Sequence, residues 1–387
     1  MIKEFVSIIA LLVTVSLSQA QIPLFDHHHK KGFVDDNGKT IIPFEYDNAG
    51  GFSDGLASVQ KDNLWGFINM ENEVVIPFEY TKVDWFSEGL TQVEKNGRKF
   101  FINTTGQAVF YVDDYSSCDA FHQGLSKVQK NGKTGFIDVH GNLVIDTKYE
   151  IARTFNQGLS EAYGNGLWGV INTVGDTIIP FVYKEIWSND GYYLVKKEGK
   201  WGILDSNNKV VIPIEYDFLD PFYEGLARAE RNGKMGFIDK NNHVVIPFQY
   251  DVAWEFVNGL SLVSIGYKYG FIDKGNRLVV PLKYDLAWSF KPENALAKVS
   301  LNDKWGCVNT AGKVVIPVVY DDITIFGDYV ILRKNGKEGV CDKNGHICIP
   351  FQYDWIDYIH GNLFSVGLGD LKSGVVNAQG QIIIPIE

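Results

Sequence analysis

Trp65-Gly66-Phe67-Ile68-Asn69, then Asn72, then Val74-Val75-Ile76-Pro77 and Phe78-Glu79-Tyr80, is one instance of a pattern that fills the chain. Its glycine, and the proline eleven residues later, recur every 34 or so residues. The glycine slot is held by Gly32, Gly66, Gly135, Gly169, Gly202, Gly236, Gly270, Gly306, Gly339 and Gly374, with Phe100 in the third copy. The proline slot runs from Pro43 to Pro385, with Tyr111 and Asp146 in the third and fourth copies. Eleven copies of one supersecondary unit predict an array in which neighbours bury one another's apolar faces. Residues repeated in every copy are therefore first of all structural.

Each copy reads as β structure. Three residues after the glycine slot stands Asp or Asn, as at Asn69 and Asp138, and six after it Gly or Asn, as at Asn72 and Gly141. That is the chemistry of a type I turn closed by a residue at positive φ, a hairpin with a glycine-type bulge. The apolar triplets Val74-Val75-Ile76, Val210-Val211-Ile212 and Val314-Val315-Ile316 predict strands covered on both faces. The proline after them is expected to stop pairing at a strand end. Upstream, stretches such as Leu90-Thr91-Gln92-Val93-Glu94 join the glycine strand through Asn96-Gly97, Asn131-Gly132, Asn232-Gly233 or Asn335-Gly336, a strong hairpin signal. The unit is thus a three-stranded meander followed by a connector, in which Tyr and then Phe recur, as at Tyr80 and Phe86. Those rings are expected to pack between copies.

The fold class that follows is all-β: a tandem array of about eleven three-stranded meanders, forming an open solenoid or superhelix. The alternative is a closed ring resembling a β-propeller. Eleven small copies exceed the usual 4–8 blades, and propeller blades generally have four strands.

Composition sets the compartment and the partners. The chain has 387 residues, 45% of them hydrophobic, 39 glycines and a net charge of −11. Such an acidic balance argues against nucleic acid, whose binding needs basic surface. Residues 1–20 carry Lys3, an apolar stretch from Phe5 to Leu17 and the small-residue end Ser18-Gln19-Ala20, which reads as a secretory signal peptide. The expectation is an exported protein, periplasmic, cell-surface or secreted, with residues 21–387 as the repeat domain and no later transmembrane segment.

Trp65-Gly66, Trp168-Gly169-Val170-Ile171-Asn172, Trp201-Gly202-Ile203-Leu204-Asp205 and Trp305-Gly306 make the array resemble the WG-repeat family. The tryptophan slot departs from that pattern at Lys31, Lys99, Thr134, Met235, Tyr269, Glu338 and Ser373. The resemblance covers nearly all of the chain after residue 20. It implies a repeat protein with no catalytic residues to carry over.

Several short matches dissolve in the repeat register. Gly51-Phe52-Ser53-Asp54-Gly55 mimics a hydrolase elbow, but the equivalent slots read Trp85-Phe86-Ser87-Glu88-Gly89 and Glu255-Phe256-Val257-Asn258-Gly259. Gly132-Lys133-Thr134 is the end of a hairpin turn rather than a phosphate loop. His27-His28-His29 lacks a partner cluster with ligand spacing, so no metal or cofactor is expected. Of the four cysteines, Cys307, Cys341 and Cys348 occupy apolar strand slots and Cys118 lies in the third connector. A two-residue turn at Asn344-Gly345 would set Cys341 opposite Cys348, within disulfide reach. The bulged turn favoured by Asp342 instead opposes Cys341 to Ile347 and turns Cys348 to the other face, so buried free thiols are expected, with a Cys341–Cys348 pair as the alternative.

Trp85, Trp187, Trp254, Trp288 and Trp355 stand outside the motif, in connectors, where other copies carry different residues. Copy-specific aromatics are the candidate contacts for a ligand or partner. The expected function is a non-enzymatic exported binding or scaffold protein presenting its surface to a protein partner. The alternative is carbohydrate or cell-wall binding by exposed connector tryptophans. A hydrolase is a distant third, since no converging acid, His or Ser groups emerge from the register.

Overall fold

In a computed structural model, which describes residues 22–25, 30–34, 40–369 and 372–386, the chain is all-β. Eleven antiparallel sheets follow one another among the described residues, the first three-stranded and the others four-stranded. Each is built from strands consecutive in sequence, and none closes into a barrel. Residues 1–20 and His27-His28-His29 lie outside the described residues. The chain divides into two compact units, Met1–Phe181 and Val182–Glu387.

The expected three-stranded meander is corrected to four strands. In the second sheet they are Asn48–Ser53, Leu56–Lys61, Leu64–Ile68 and Val74–Tyr80. The additional strand is the connector itself, turned back by Asp54-Gly55, both at positive φ (49° and 82°). Two successive left-handed residues make a type I′ turn, whose twist suits a hairpin. The same residue pair recurs as Glu88-Gly89, Gln157-Gly158 and Glu224-Gly225.

The predicted turn is present. Asn69 Oδ1 accepts hydrogen bonds from the backbone N–H of Glu71 (3.1 Å) and Glu73 (2.8 Å), while Asn72 takes φ 63°. The last strand, however, does not end at the proline. Trp65 pairs with Tyr80 and Phe67 with Ile76, so Pro77-Phe78-Glu79 arches over the single residue Gly66 and pairing then resumes. A Cβ on Gly66 would lie 2.6 Å from the Ile76 carbonyl oxygen and 3.0 Å from the Phe78 nitrogen. Glycine is therefore set by the close approach of backbone.

The triplet before the proline is also corrected. Val74 and Val75 are exposed and only Ile76 is buried, because this strand is the sheet edge and its first residues border the turn. Burial lies instead between successive sheets. Leu56, Phe67, Ile76 and Tyr80 of one sheet share a core with Phe86, Val93, Phe100 and Ile102 of the next. The connector Phe carries that contact: Phe86 meets Phe67 at 4.9 Å, Phe256 meets Phe237 at 4.8 Å and Phe290 meets Phe271 at 4.8 Å between ring centroids. Edge-on and tilted rings at such distances are a favoured aromatic geometry.

Polar side chains tie neighbours together as well. The Tyr46, Tyr216 and Tyr250 hydroxyls donate to Oδ1 of Asn72, Asn242 and Asn276 in the following copy, at 2.7, 2.6 and 2.6 Å. The type I′ turn adds a second ladder. Gly89 N–H donates to Asp54 Oδ2 (2.7 Å), Gly124 N–H to Glu88 Oε2 (2.8 Å) and Gly158 N–H to Gln123 Oε1 (2.9 Å). Each donor stands one copy after its acceptor.

The aspartate after the repeated Tyr forms a third link. Asp251 accepts from Lys234 Nζ (2.5 Å) and from Gly266 N–H (2.8 Å), and Asp285 accepts from Lys268 Nζ (2.6 Å) and Asn302 N–H (2.8 Å). The lysine bond first, and the turn N–H after it, hold Asp251, Asp285, Asp321 and Asp354 below the ordinary value of 3.8. A depressed folded-state pKa contributes stability that is present above 3.8 and is lost as pH falls through the folded-state values. The melting midpoint should therefore stay level from pH 7 to about 5 and drop below about pH 4. Thermal melts followed by circular dichroism check this, and a midpoint that rises on acidification below pH 4 contradicts it.

Candidate functional site

The copies differ most in their connectors, and two neighbouring connectors in the second unit frame a groove of about 720 Å³. Its walls come from Val252, Trp254, Glu255 and Val257 of one connector and residues 286–292 of the next, with Leu262 and Tyr269 between them. Tyr269 is the occupant of the motif tryptophan slot in that copy. In both connectors the first strand is short, Val252–Ala253 and Leu286–Ala287, and breaks at the tryptophan. Phe256 and Phe290 turn inward and are buried. With these rings anchored in the core, Trp254 and Trp288 remain 44% and 49% exposed.

Both indoles are held by cations. The Arg228 guanidinium carbon lies 5.7 Å from the Trp254 ring, and the Lys298 ammonium lies 5.4 Å from Trp288 and 4.1 Å from Trp305. Trp288 also leans on Trp305, at 4.9 Å between centroids and 55° between planes. The cations are fixed in turn. Arg228 donates to Asp220 (2.7 Å) and to the Ala253 carbonyl (2.6 Å), while Lys298 donates to Asp322 (2.8 Å) and the Ile323 carbonyl (2.7 Å). Burial pushes the Asp220 carboxyl up against the pull of Arg228, and the Glu255 charge adds to the rise. The result is a pair of half-exposed, pre-oriented aromatic faces in one groove, which lowers the ordering cost of binding.

The other tryptophans are placed separately. Trp85, 63% exposed, lines a groove of about 560 Å³ in the first unit with Asp84, Cys118, Asp119 and His122. There burial, and then the Asp119 charge, raise the Asp84 carboxyl. Trp187 is exposed within strand Glu185–Asn189. Trp355 is half-buried opposite Gly367, where a Cβ would run into its indole. Tyr269, Lys291 and Pro292 were not singled out from sequence. The signal for Lys291 and Pro292 is the 36-residue interval from Gly270 to Gly306, the longest between successive slots, which places the extra residues in this connector.

Other sequence candidates are accounted for locally. Ser53 Oγ donates to the Phe86 carbonyl (2.5 Å) in the next copy, at a strand-to-strand turn rather than a strand-to-helix elbow. Cys341 pairs with Ile347, and all four cysteines are free. Cys307 and Cys341 are buried; Cys118 and Cys348 are only partly so, a correction to the expectation of burial. Cys348 lies near the turn, on the partly covered edge strand, and Cys118 faces the groove. Among the described residues, no group of three or more His, Cys, Asp or Glu side chains is placed to share a metal ion. No helix among them is long and apolar enough to cross a membrane.

Ten consecutive segments, from 32–65 through 135–166 and 235–269 to 339–371, match the WG containing repeat. The chain belongs to the WG-containing repeat family. No curated protein matches it. Among solved structures it is similar to a eukaryotic initiation factor, at 12% identity over 85% of this chain and 95% of that one, with a TM-score of 0.35. It is also similar to BamB from Moraxella catarrhalis, at 12% identity over 74% and 92%, with a TM-score of 0.29. Overlaps this loose bear on no functional argument. The WG repeat accounts for the framework, and the groove occupies positions where its copies diverge.

Burial pushes the thiols of Cys118, Cys307 and Cys341 up to about 12. At pH 8 only about one in ten thousand of each is thiolate, the nucleophilic form. Native alkylation should therefore leave these three unmodified over hours and reach completion in denaturant. Rapid native labelling of Cys118, read by peptide mass mapping, would contradict its placement.

Proposed function

We propose that this chain is a non-enzymatic, exported binding or scaffold protein that presents its repeat surface to a protein partner. The Trp254–Trp288 groove is its principal contact. The observation that carries the reading is the pair of half-exposed indoles, locked by Arg228 and Lys298 within one concave site. Tryptophan, tyrosine and arginine dominate the energy of protein interfaces when they sit in pre-formed pockets. Export rests on the character of residues 1–20, and the acidic balance favours a partner that is not nucleic acid.

A second reading, carbohydrate or cell-wall binding, draws on the same exposed rings, because an indole face also stacks on a sugar ring. The two readings separate in one experiment. The chain from Gln21 onward serves as bait for the exported protein fraction and, in parallel, for peptidoglycan and a glycan array. Retention of a protein by the wild type, lost in the Trp254→Ala/Trp288→Ala variant, is the expected result. Variant-sensitive retention of glycan alone favours the second reading, and equal retention by both forms overturns the groove.

A further inference from the structure

We propose that the Trp254–Trp288 groove takes a proline-rich peptide in the polyproline II conformation, with prolines three residues apart over successive connectors. The inference rests on the protein-partner reading and names the chemistry of that partner.

Spacing gives the first argument. Trp254 and Trp288 each stand four residues after the repeated tyrosine, in neighbouring sheets that share one core of Leu260, Phe271, Tyr284, Phe290 and Val299. Sheets packed face to face lie roughly 10 Å apart. A polyproline II helix repeats every three residues and about 9 Å. Prolines at i and i+3 therefore recur at roughly the spacing of packed sheets, each of which brings one of the two tryptophans.

The hydrogen-bonding stock of the groove gives the second. Among the described residues, the indole N–H groups of Trp254 and Trp288 and the Lys291 ammonium have no hydrogen-bond partner. The Ser289 hydroxyl is buried without one. Against these donors stands one side chain that only accepts, the Glu255 carboxylate, while the Tyr269 and Ser289 hydroxyls serve either way. Such a site suits a ligand rich in acceptors and poor in donors. Polyproline II leaves its backbone carbonyls free, and proline has no N–H. A sugar brings a donor with every hydroxyl, and an ordinary extended peptide brings one with every residue, for which the side chains of the groove supply few acceptors. The remaining walls, Val257, Leu262, Leu286 and Phe290, are apolar. Rigid indoles meeting a pre-ordered helix leave little entropy to lose.

The test is a fluorescence titration of the full chain with decaproline, with a ten-residue Gly-Ser peptide and a chitin hexasaccharide as the other probes. Decaproline is expected to saturate the signal, the other two to leave it unchanged. Trp254→Ala/Trp288→Ala should weaken decaproline binding at least tenfold. Trp254→Phe, which keeps a ring and removes the N–H, should weaken it roughly fivefold. Trp85→Ala, in the first unit, should leave it at the wild-type value. Circular dichroism and the melting midpoint establish that the variants fold. If the alanine pair does not fold, Trp254→Phe against Trp85→Ala decides. Decaproline that fails to saturate, matches the Gly-Ser peptide, or binds the folded groove variants as tightly as wild type overturns the inference. So does saturation of the groove by the hexasaccharide. Failure of decaproline with groove-dependent capture of a protein retained removes only the proline-rich assignment. Loss of that capture as well removes the reading beneath it.

Discussion

Gly66 and its equivalents have no side chain because the last strand of each sheet passes over them within contact distance. A Cβ would stand 2.7 Å from the Ile246 carbonyl oxygen at Gly236 and 2.5 Å from those of Val280 and Ile316 at Gly270 and Gly306. Real Cβ atoms do not approach backbone so closely, and a packed interior has no slack to absorb the shift. The arch places the buried Ile before the proline and the buried Tyr after it on the same core, as at Ile246 and Tyr250. From that Tyr the chain enters the next sheet. The aromatic contacts, the Tyr–Asn bonds and the Asp–Lys links all start from a strand that has been through the arch.

Two irregular copies bear on the glycine and the proline: the third lacks both, and the fourth keeps the glycine alone. In the third, Phe100 fills the glycine slot, and there the strands pair directly, Phe100 with Tyr111 and Phe101 with Phe110, without an arch. In the fourth, Asp146 replaces the proline while Gly135 remains, and the arch persists, with Thr134 opposite Tyr149 and Phe136 opposite Ile145. The side-chain-free position is what the arch requires. Proline suits it because the arched residue has no ladder partner for an N–H to lose.

Much of this was legible because the determining signals are local. Asp or Asn followed by Gly or Asn specified the bulged turn, and the register it implied correctly separated Cys341 from Cys348. The fourth strand was missed because Asp54-Gly55 and Glu88-Gly89 were read as connector, although such a pair at positive φ is itself a hairpin turn. Val74 and Val75 misled for a different reason: apolar residues on an edge strand look like core ones when the covering neighbour cannot be placed. At the site, the five connector tryptophans could be picked out as copy-specific. Which two share a groove depended on how neighbouring connectors stack, and the cations beneath them lie in other strands. Only the long Gly270–Gly306 interval pointed to that place from sequence.

A binding surface on such a framework arises where the framework is indifferent to sequence. Connectors must return the chain to the next sheet, several of them burying one ring such as Phe86 or Phe256, and beyond that they are free to vary, aromatic at Trp254 and Trp288 and acidic at Asp84 and Asp119. The central claim, that the glycine and not the proline makes the repeat, is tested most directly by urea unfolding of Gly236→Ala beside Pro247→Ala. The first should lower stability by about 1–3 kcal/mol through overpacking against the Ile246 carbonyl, and the second by less than about 1 kcal/mol. A Gly236→Ala protein as stable as wild type, or a larger loss at Pro247, would contradict the account.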